Sequence, residues 1–173
     1  MFLREGNLVI RNATTDDAVL LCDWWNDGKV MSHAGYPNGL GTAPEIIARS
    51  LETDNDDIHR RLILEIDNMP VGEMNYRNVG NKTAELGIKI CNFNKQEKGF
   101  GTRFLKMIIH SLFNDLAYEK IILDTNTKNE RAQHVYQKIG FKQVGIRIDS
   151  WKNQLGELQS SIDYVLTKKD FIL

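Results

Sequence analysis

The segment Asn94–Phe104 reads NKQEKGFGTRF and places two glycines, Gly99 and Gly101, at the start of a helical pattern. The residues before it, ELGIKI (Glu85–Ile90), are typical of a strand. A strand that ends in a Gly-x-Gly loop and runs straight into a helix has two explanations. Glycine allows a tight corner, and it also lets backbone N–H groups converge on a phosphate with no side chain in the way.

The patterns on either side of this segment predict an α/β fold. Three segments between residues 61 and 90 read as an antiparallel meander of strands joined by short turns. The helix from Gly99 to Leu116 carries a broad apolar stripe of period 3.6. Lys120–Asn126 is a short, almost entirely apolar strand of the kind that is buried on both faces, and a second helix that ends at Gly140 follows it.

The predicted order of elements is β-α-α-β-β-β-α-β-α-β-β, in one domain that spans residues 1–173. We therefore expect a mixed, mostly antiparallel central sheet of about six or seven strands, flanked by helices. The strand–helix–strand crossover in the middle should place its two strands parallel. A long hairpin, FKQVGIRIDSW and LQSSIDYVL, is expected to complete the sheet.

The composition argues against several functional classes. The chain of 173 residues has a formal net charge of −1, so no global basic field exists to attract nucleic acid or an anionic membrane. No apolar run approaches the ~20 residues that cross a bilayer. Cys22 and Cys91 are isolated, so we expect two reduced thiols in a cytoplasmic protein. The histidines show no ligand spacing, and no metal is expected.

Two motifs in the second half of the chain resemble those of a known superfamily. Gln96–Gly101, QEKGFG, matches the pattern Q/R-x-x-G-x-G/A. Asn129–Phe141, NERAQHVYQKIGF, resembles N-x-x-A-x-x-x-Y-x-x-x-G-F. Together with the order of the elements, they resemble the acyl-CoA-binding core of the GNAT N-acetyltransferase superfamily. The chain looks most similar to the group that includes RimJ/RimL-like and small-amine acetyltransferases.

This resemblance implies acetyl-CoA as a cosubstrate. The helix after the glycine loop begins with unbonded N–H groups and a partial positive charge, which suit the diphosphate of coenzyme A. In the family, the strand before the loop splays away from its neighbour, and the pantetheine arm pairs with its exposed edge. A bulge with Gly87 as the hinge would supply the bend, and the alternative is that Gly87 is only a small residue required for packing. The residues expected to contact the cosubstrate are Ile88, Lys89, Ile90, Gln96, Lys98, Gly99, Phe100, Gly101, Thr102 and Asn129.

The same resemblance suggests the catalytic groups. Tyr136 is expected to act as the general acid, because a phenol of pKa ~10 and a departing thiol of pKa ~8.5 can share a proton. The backbone N–H near Ile88 is expected to donate to the acetyl oxygen. The amine attacks only when neutral, which for a lysine-like amine holds for about one part in a thousand near neutral pH. Glu85 is the first candidate base, acting through a water, and Asp149 is the second.

The acceptor is not specified by the sequence. Its pocket is expected to come from Trp24, Trp25, Tyr76, the loop His33–Tyr36 and the segment Asp149–Trp151. A protein N-terminal α-amine, a polyamine and an aminoglycoside-like amine all remain open as acceptors. The alternative is a non-catalytic module that binds coenzyme A or a partner on the same fold. Pairing of the last hairpin between two copies would give a homodimer.

Overall fold

The computed structural model describes the whole chain, residues 1–173, and contains one sheet of eight strands. The strands are β1 (Phe2–Glu5), β2 (Leu8–Asn12), β3 (His59–Ile66), β4 (Met69–Asn78), β5 (Thr83–Ile90), β6 (Lys120–Asn126), β7 (Lys142–Lys152) and β8 (Leu158–Thr167). The helices are α1 (Ala18–Asn26), α2 (Gly28–Met31), α3 (Pro44–Leu51), α4 (Phe100–Asn114) and α5 (Glu130–Ile139). The longest of them, α4, has 15 residues, and none is both long and apolar enough to span a membrane.

The strand order is β1-β2-β3-β4-β5-β6-β8-β7, and every neighbouring pair except β5–β6 is antiparallel. The parallel pair is the one that α4 connects, as the crossover in the sequence predicts. The mixed, mostly antiparallel α/β fold is therefore confirmed. The sheet has eight strands, one more than the six or seven expected. The additional strand is the short edge strand β1, which has no alternating apolar pattern from which it could be predicted.

Helices cover the two faces of the sheet at different places. The apolar stripe of α4 is buried as predicted, with Phe104, Ile108 and Leu112 all fully inaccessible, and α5 packs against the same core. On β3, Leu62 and Leu64 belong to this core. Ile63 between them points to the opposite face and packs there with residues of α1 and α3. Side chains that share a face with Ile63 therefore lie on the α1 side of the sheet.

The sheet splits between β5 and β6. These two strands pair only from Thr83 to Glu85, opposite Lys120 to Ile122. Beyond that point β6 continues along β8 as far as Asn126, while β5 continues along β4 as far as Ile90. The expected splay of the strands is thus present, and a gap opens between two strands that are each held on their other edge.

The bulge expected at Gly87 is absent. The β4–β5 register runs without a shift, and Gly87 lies opposite Asn75. A Cβ added at Gly87 would lie 2.9 Å from Nδ2 of Asn75, so the glycine makes room for that side chain. The strands separate because β6 turns away with β8, and no irregularity in β5 is needed.

Candidate active site

One cleft occupies the gap between the splayed strands. Its walls come from β4, β5, the glycine loop, the start of α4, β6, α5, the loop after α2 and the β7–β8 hairpin. Of the residues expected to contact the cosubstrate, the cleft is lined by Ile88, Lys89, Ile90, Gln96, Gly99, Gly101, Thr102 and Asn129. The side chains of Lys98 and Phe100 do not line it: Lys98 is exposed, and Phe100 packs against the main core.

The glycine loop presents free N–H groups to this cleft. Gly99 precedes α4 with φ of 77°, a left-handed conformation that glycine adopts without strain. The first backbone bond of the helix runs from the N–H of Arg103 to the carbonyl of Gly99, at 3.2 Å. The three N–H groups of residues 100–102 therefore have no partner within the helix.

The space in front of these groups is open. A Cβ added at Gly99 would meet nothing within 4 Å, and one added at Gly101 would have only Cγ1 of Ile90, at 3.9 Å, nearby. The helix N-terminus also carries a partial positive charge. The geometry fits a diphosphate, since anionic oxygens accept from convergent backbone N–H groups at this position.

The exposed edge of β5 offers further backbone groups. Thr83 and Cys91 both bond to the β4 side, through the carbonyl of Thr83 and the N–H of Cys91. Because successive residues of a strand direct their N–H and C=O groups to opposite edges, Ile88 and Ile90 direct theirs into the gap. The N–H of Ile88 therefore points into the gap, where no strand pairs with it.

Gln96 spans the cleft near the glycine loop. Its Nε2 donates to the carbonyl of Ile90 at 2.8 Å, and its Oε1 accepts from Nη1 of Arg131 at 2.8 Å. Arg131 belongs to the first turn of α5, so the side chain of Gln96 joins the end of β5 to that helix. The first residue of the Q-x-x-G-x-G motif thus fixes the relative position of two walls of the site.

Asn129 both caps α5 and lines the cleft. Its Oδ1 accepts from the N–H of Ala132 at 3.2 Å, and the helix begins at Glu130. Capping is compatible with the contact to the cosubstrate expected from the sequence, because the cap occupies one lone pair of the amide oxygen and leaves the Nδ2 group available to a ligand.

Tyr136 lies on α5 with its ring buried and its hydroxyl unpaired. The ring makes edge contacts with Tyr164 at 5.6 Å and tilted contacts with Phe141 at 5.8 Å between centroids. The residue is 7% exposed and lines the cleft, and its hydroxyl has no hydrogen-bond partner in the protein. Burial, followed by the charge of Asp124, raises the pKa of the phenol well above its usual value of 10. The hydroxyl is therefore held in its protonated, donating form.

Glu85 does not reach the cleft. It lies opposite Ile122, where β5 and β6 are still paired, and it forms an ion pair with Arg77 on β4. Asp149 is no better placed, since it is exposed on the β7–β8 hairpin, where its N–H donates to Oγ of Ser160. Both carboxylates thus lie outside the cleft. For Glu85 the reason is the register, and the sequence could not show where the pairing of β5 with β6 ends.

A different carboxylate, Glu73 on β4, lines the cleft. It is 7% exposed and lies on the α1 face, opposite Ile63 and Lys89 of the neighbouring strands. Its Oε1 accepts from Nζ of Lys89 and from Nε1 of Trp25, both at 2.8 Å, which leaves Oε2 without a partner in the protein. The sequence did contain a signal for Glu73: it is the single acidic residue in VGEMNY, which belongs to a predicted strand of the central meander.

Neither cysteine is a candidate nucleophile. Both thiols are free and buried. Cys91 follows β5 directly, and burial, followed by the nearby charge of Glu73, raises the pKa of its thiol to about 12. The protein thus keeps this thiol protonated near neutral pH, whereas attack on a thioester requires the thiolate.

The far end of the cleft is formed by aromatic residues and loop residues. His33 and Ala34 line it from the loop after α2, and Trp151 lines it from the hairpin. Trp25 reaches the site through its bond to Glu73. Tyr76, also expected here, is instead fully buried in the main core, where its hydroxyl donates to Oδ1 of Asp56 at 2.8 Å. Tyr76 points to the other face of the sheet because it is one residue out of phase with Glu73 and Asn75.

The comparisons with known proteins agree with this geometry. The sequence matches the acetyltransferase (GNAT) domain family over residues 7–142. It is 23% identical over 161 residues to the aminoglycoside N(6')-acetyltransferase type 1 of Klebsiella pneumoniae, covering 82% of this chain and 77% of that protein. It is 33% identical over 93 residues to the spermidine N(1)-acetyltransferase of Escherichia coli strain K12, covering 53% and 50%.

Among solved structures, the spermidine N-acetyltransferase from Vibrio cholerae in complex with CoA and spermine superposes with a TM-score of 0.85. The two chains are 19% identical, and the superposition covers 96% of this chain and 98% of that one. The narrower RimJ/RimL-like grouping stays a prediction. The match of the family over most of the chain is decisive: the protein belongs to the GNAT acetyltransferase family and is an acetyl-CoA-dependent N-acetyltransferase.

Proposed function

We propose that the protein transfers the acetyl group of acetyl-CoA to a primary amine of a small polycationic molecule, by direct attack in a ternary complex. The observation that carries this proposal is the convergence of four features in one cleft. These are the unbonded N–H groups at the start of α4, the free edge of β5, the hydroxyl of Tyr136 and the carboxylate of Glu73.

The backbone of the cleft would hold the cosubstrate. The N–H groups of residues 100–102 bind the diphosphate, and the carbonyl of Ile88 and the N–H of Ile90 pair with the amides of the pantetheine arm. Asn129 donates to the same arm from α5. In this arrangement the thioester lies at the gap between β5 and β6, with its carbonyl oxygen at the N–H of Ile88.

The chemical step forms a C–N bond and breaks the C–S bond. The neutral amine attacks the thioester carbon, and the N–H of Ile88 stabilises the negative charge on the carbonyl oxygen. The proton lost by the amine passes to the free Oε2 of Glu73, directly or through a water. The other oxygen of Glu73, Oε1, is held by Nζ of Lys89 at 2.8 Å, which leaves Oε2 free for this role. The electron pair of the C–S bond leaves with the sulfur of coenzyme A.

Tyr136 would donate a hydrogen bond to the departing sulfur. The raised pKa of its phenol makes full transfer of the proton to a thiolate less favourable than in water. The same burial strengthens the hydrogen bond, because few water molecules compete for the hydroxyl. We therefore assign Tyr136 to stabilisation of the thiolate by donation, a narrower role than the general acid expected from the sequence.

A small acceptor is favoured over a protein N-terminus for two reasons. The loop after α2 and the β7–β8 hairpin are hydrogen-bonded to each other at the acceptor end, so an extended peptide would have to pass around this contact. The relatives that match the chain include an aminoglycoside and a spermidine acetyltransferase, whose substrates are small molecules with several amines.

The test combines binding and turnover. Acetyl-CoA is expected to raise the melting temperature, and release of free thiol is expected with at least one member of a panel of polyamines and aminoglycosides. Peptides with free α-amines serve as the comparison set. Turnover restricted to the peptides would contradict the acceptor class. Binding of acetyl-CoA with no turnover on any amine would favour the non-catalytic alternative.

The homodimer expected from the sequence stays a prediction. The surface that would carry it is the free edge of β7, where Val144, Ile146 and Ile148 are all at least half exposed. Light scattering of the purified protein decides between one copy and two.

A further inference from the structure

The loop after α2 and the β7–β8 hairpin are joined by one residue, Gln154. We call residues 32–41 the acceptor loop. The N–H of Gln154 donates to the carbonyl of Gly35 at 2.7 Å, and its Oε1 accepts from the N–H of Asn38 at 2.9 Å. Its Nε2 donates to the carbonyl of Gly39 at 2.9 Å. Three hydrogen bonds from a single residue thus cross between segments that are more than 100 positions apart in the chain.

The acceptor loop also packs closely on the helices, since Pro37 lies against Gly28 and Gly39 lies against Asn26. Its ends are tied to helices, since the N–H of Tyr36 donates to Met31 and the N–H of Leu40 donates to Trp25. Between residues 33 and 41, Gln154 is the only residue whose side chain bonds to the backbone of the loop. The helices therefore hold the loop on one side, and the side chain of Gln154 joins it to the hairpin on the other.

The hairpin is a firm support for this contact. Oδ1 of Asn153 accepts from the N–H groups of Leu155 and Glu157, both at 3.0 Å, which fixes the turn. Trp151 is held by its own bond, from Nε1 to Oγ of Ser161 at 3.0 Å. Its ring packs so closely on Gly35 that an added Cβ there would lie 2.5 Å from the ring. Only glycine fits at this point of the loop.

The cleft is lined from both sides of this junction. His33 and Ala34 contribute from the acceptor loop, and Trp151 contributes from the hairpin. Gln154 lies just outside, with its turn exposed to solvent. The distance between the two walls at the acceptor end is therefore set by a residue that does not itself touch the cleft.

We propose that Gln154 is a positioning residue for the acceptor amine: it fixes the acceptor loop against Trp151 and so sets the width of the acceptor end of the cleft. This inference rests on the proposed function, because it assigns the acceptor to this end of the cleft. The role of Gln154 can be tested separately from binding of the cosubstrate, because the cosubstrate binds at the other end of the cleft. Loss of the contact should weaken binding of the amine and leave binding of acetyl-CoA unchanged.

The test compares Gln154→Ala with Gln154→Met, which keeps the length of the side chain and removes its polar atoms. Both variants are expected to raise the KM for the amine about three- to tenfold, the range expected for loss of two partly exposed hydrogen bonds. The KM for acetyl-CoA and kcat should stay within about twofold of the wild-type values. The matched control is Leu155→Ala, in the same turn, whose side chain is 57% exposed; it should behave as wild type.

Hydrogen exchange provides a readout that does not depend on turnover. The amide of Asn38, which donates to Gln154, should exchange faster in both variants and at the wild-type rate in Leu155→Ala. Unchanged exchange at Asn38, an unchanged KM for the amine, or an equal rise in both KM values would overturn the inference. A wild-type enzyme that acetylates no small amine while Asn38 behaves as expected would instead show that the proposed acceptor class is wrong.

Discussion

The two ends of the cleft are built from different parts of the chain and by different means. The end that suits acetyl-CoA is made largely of backbone: the N–H groups of residues 100–102 and the free edge of β5. The acceptor end is made of side chains that come from distant segments, among them Trp25, Glu73 and Trp151. A backbone site is specified by local conformation, whereas a side-chain site depends on how the whole sheet is assembled.

This difference has a consequence for mutation. A change in the glycine loop should affect one substrate, acetyl-CoA, through steric block of backbone groups. A change at the acceptor end should affect the amine or the chemical step and leave the affinity for acetyl-CoA intact. The following predictions test whether the two ends are separable in this way.

The largest effect is expected for Gly101→Val. The position has room for a side chain in the protein itself, so the fold should survive, but the branched side chain would occupy the space in front of the N–H groups. Loss of several charge-assisted hydrogen bonds should weaken acetyl-CoA binding by at least about 100-fold, measured by calorimetry. The control is Gly145→Val on β7, where an added Cβ meets only Oδ2 of Asp163, at 3.7 Å. Retained affinity in Gly101→Val would mean that the diphosphate binds elsewhere.

Next in size is the effect of Glu73→Gln on turnover. Removal of a general base should lower kcat by about 100-fold or more, while the Kd for acetyl-CoA changes little. The matched change Glu85→Gln removes a carboxylate from the neighbouring strand but outside the cleft, and its kcat should stay within about twofold of wild type. If Glu85→Gln were the slow variant and Glu73→Gln the normal one, the reassignment of the base would be wrong. Melting temperatures of both variants identify any loss of stability.

A smaller effect on kcat is expected for Tyr136→Phe. The hydroxyl has no partner in the protein, so its removal should not destabilise the fold, and the loss of one hydrogen bond to a thiolate should lower kcat by about 10- to 100-fold. Because burial raises the pKa of this phenol, the donating form persists beyond pH 10, and the wild-type rate should show no fall from its ionisation below that pH. A fall in the wild-type rate between pH 8 and 10 that is absent in Tyr136→Phe would contradict the raised pKa of Tyr136.

The smallest effect is expected for Gln96→Ala. The side chain joins the end of β5 to α5 through two hydrogen bonds and leaves the N–H groups of the glycine loop untouched. We expect the Kd for acetyl-CoA to rise about three- to tenfold, with kcat nearly unchanged. Gln143→Ala, on the exposed edge strand β7, is the control. An effect as large as that of Gly101→Val would show that Gln96 binds the cosubstrate itself.

The positions of the residues at the glycine-loop end of the cleft were largely predictable from the sequence because they depend on local patterns. The glycine pair starts an amphipathic helix, Asn129 caps the next helix, and Tyr136 lies seven residues later in it, so all these residues can be placed without knowledge of the sheet. The splay itself also follows from the family resemblance. The prediction of a bulge with Gly87 as its hinge was wrong. The separation of β5 from β6 arises from the path of β6 along β8, which is a long-range property.

The acceptor end was less predictable because it depends on register and on strand phase. Glu85 and Glu73 are both acids on neighbouring strands and on the same face of the sheet. Glu85 lies where β5 is still paired with β6, whereas Glu73 lies opposite Lys89, beyond the end of that pairing. The sequence does not show where the pairing ends. Tyr76 was misplaced for a related reason, since one position along a strand moves a side chain to the opposite face.

The central claim is that the start of α4 and the edge of β5 hold acetyl-CoA with its sulfur beside Tyr136, and the most direct test is a crystal structure with coenzyme A. The account predicts diphosphate oxygens about 3 Å from the N–H groups of residues 100–102, pantetheine amides bonded to Ile88 or Ile90, and the sulfur within hydrogen-bond reach of the Tyr136 hydroxyl. A diphosphate bound away from α4, or a sulfur on the far side of β5 from Tyr136, would contradict it.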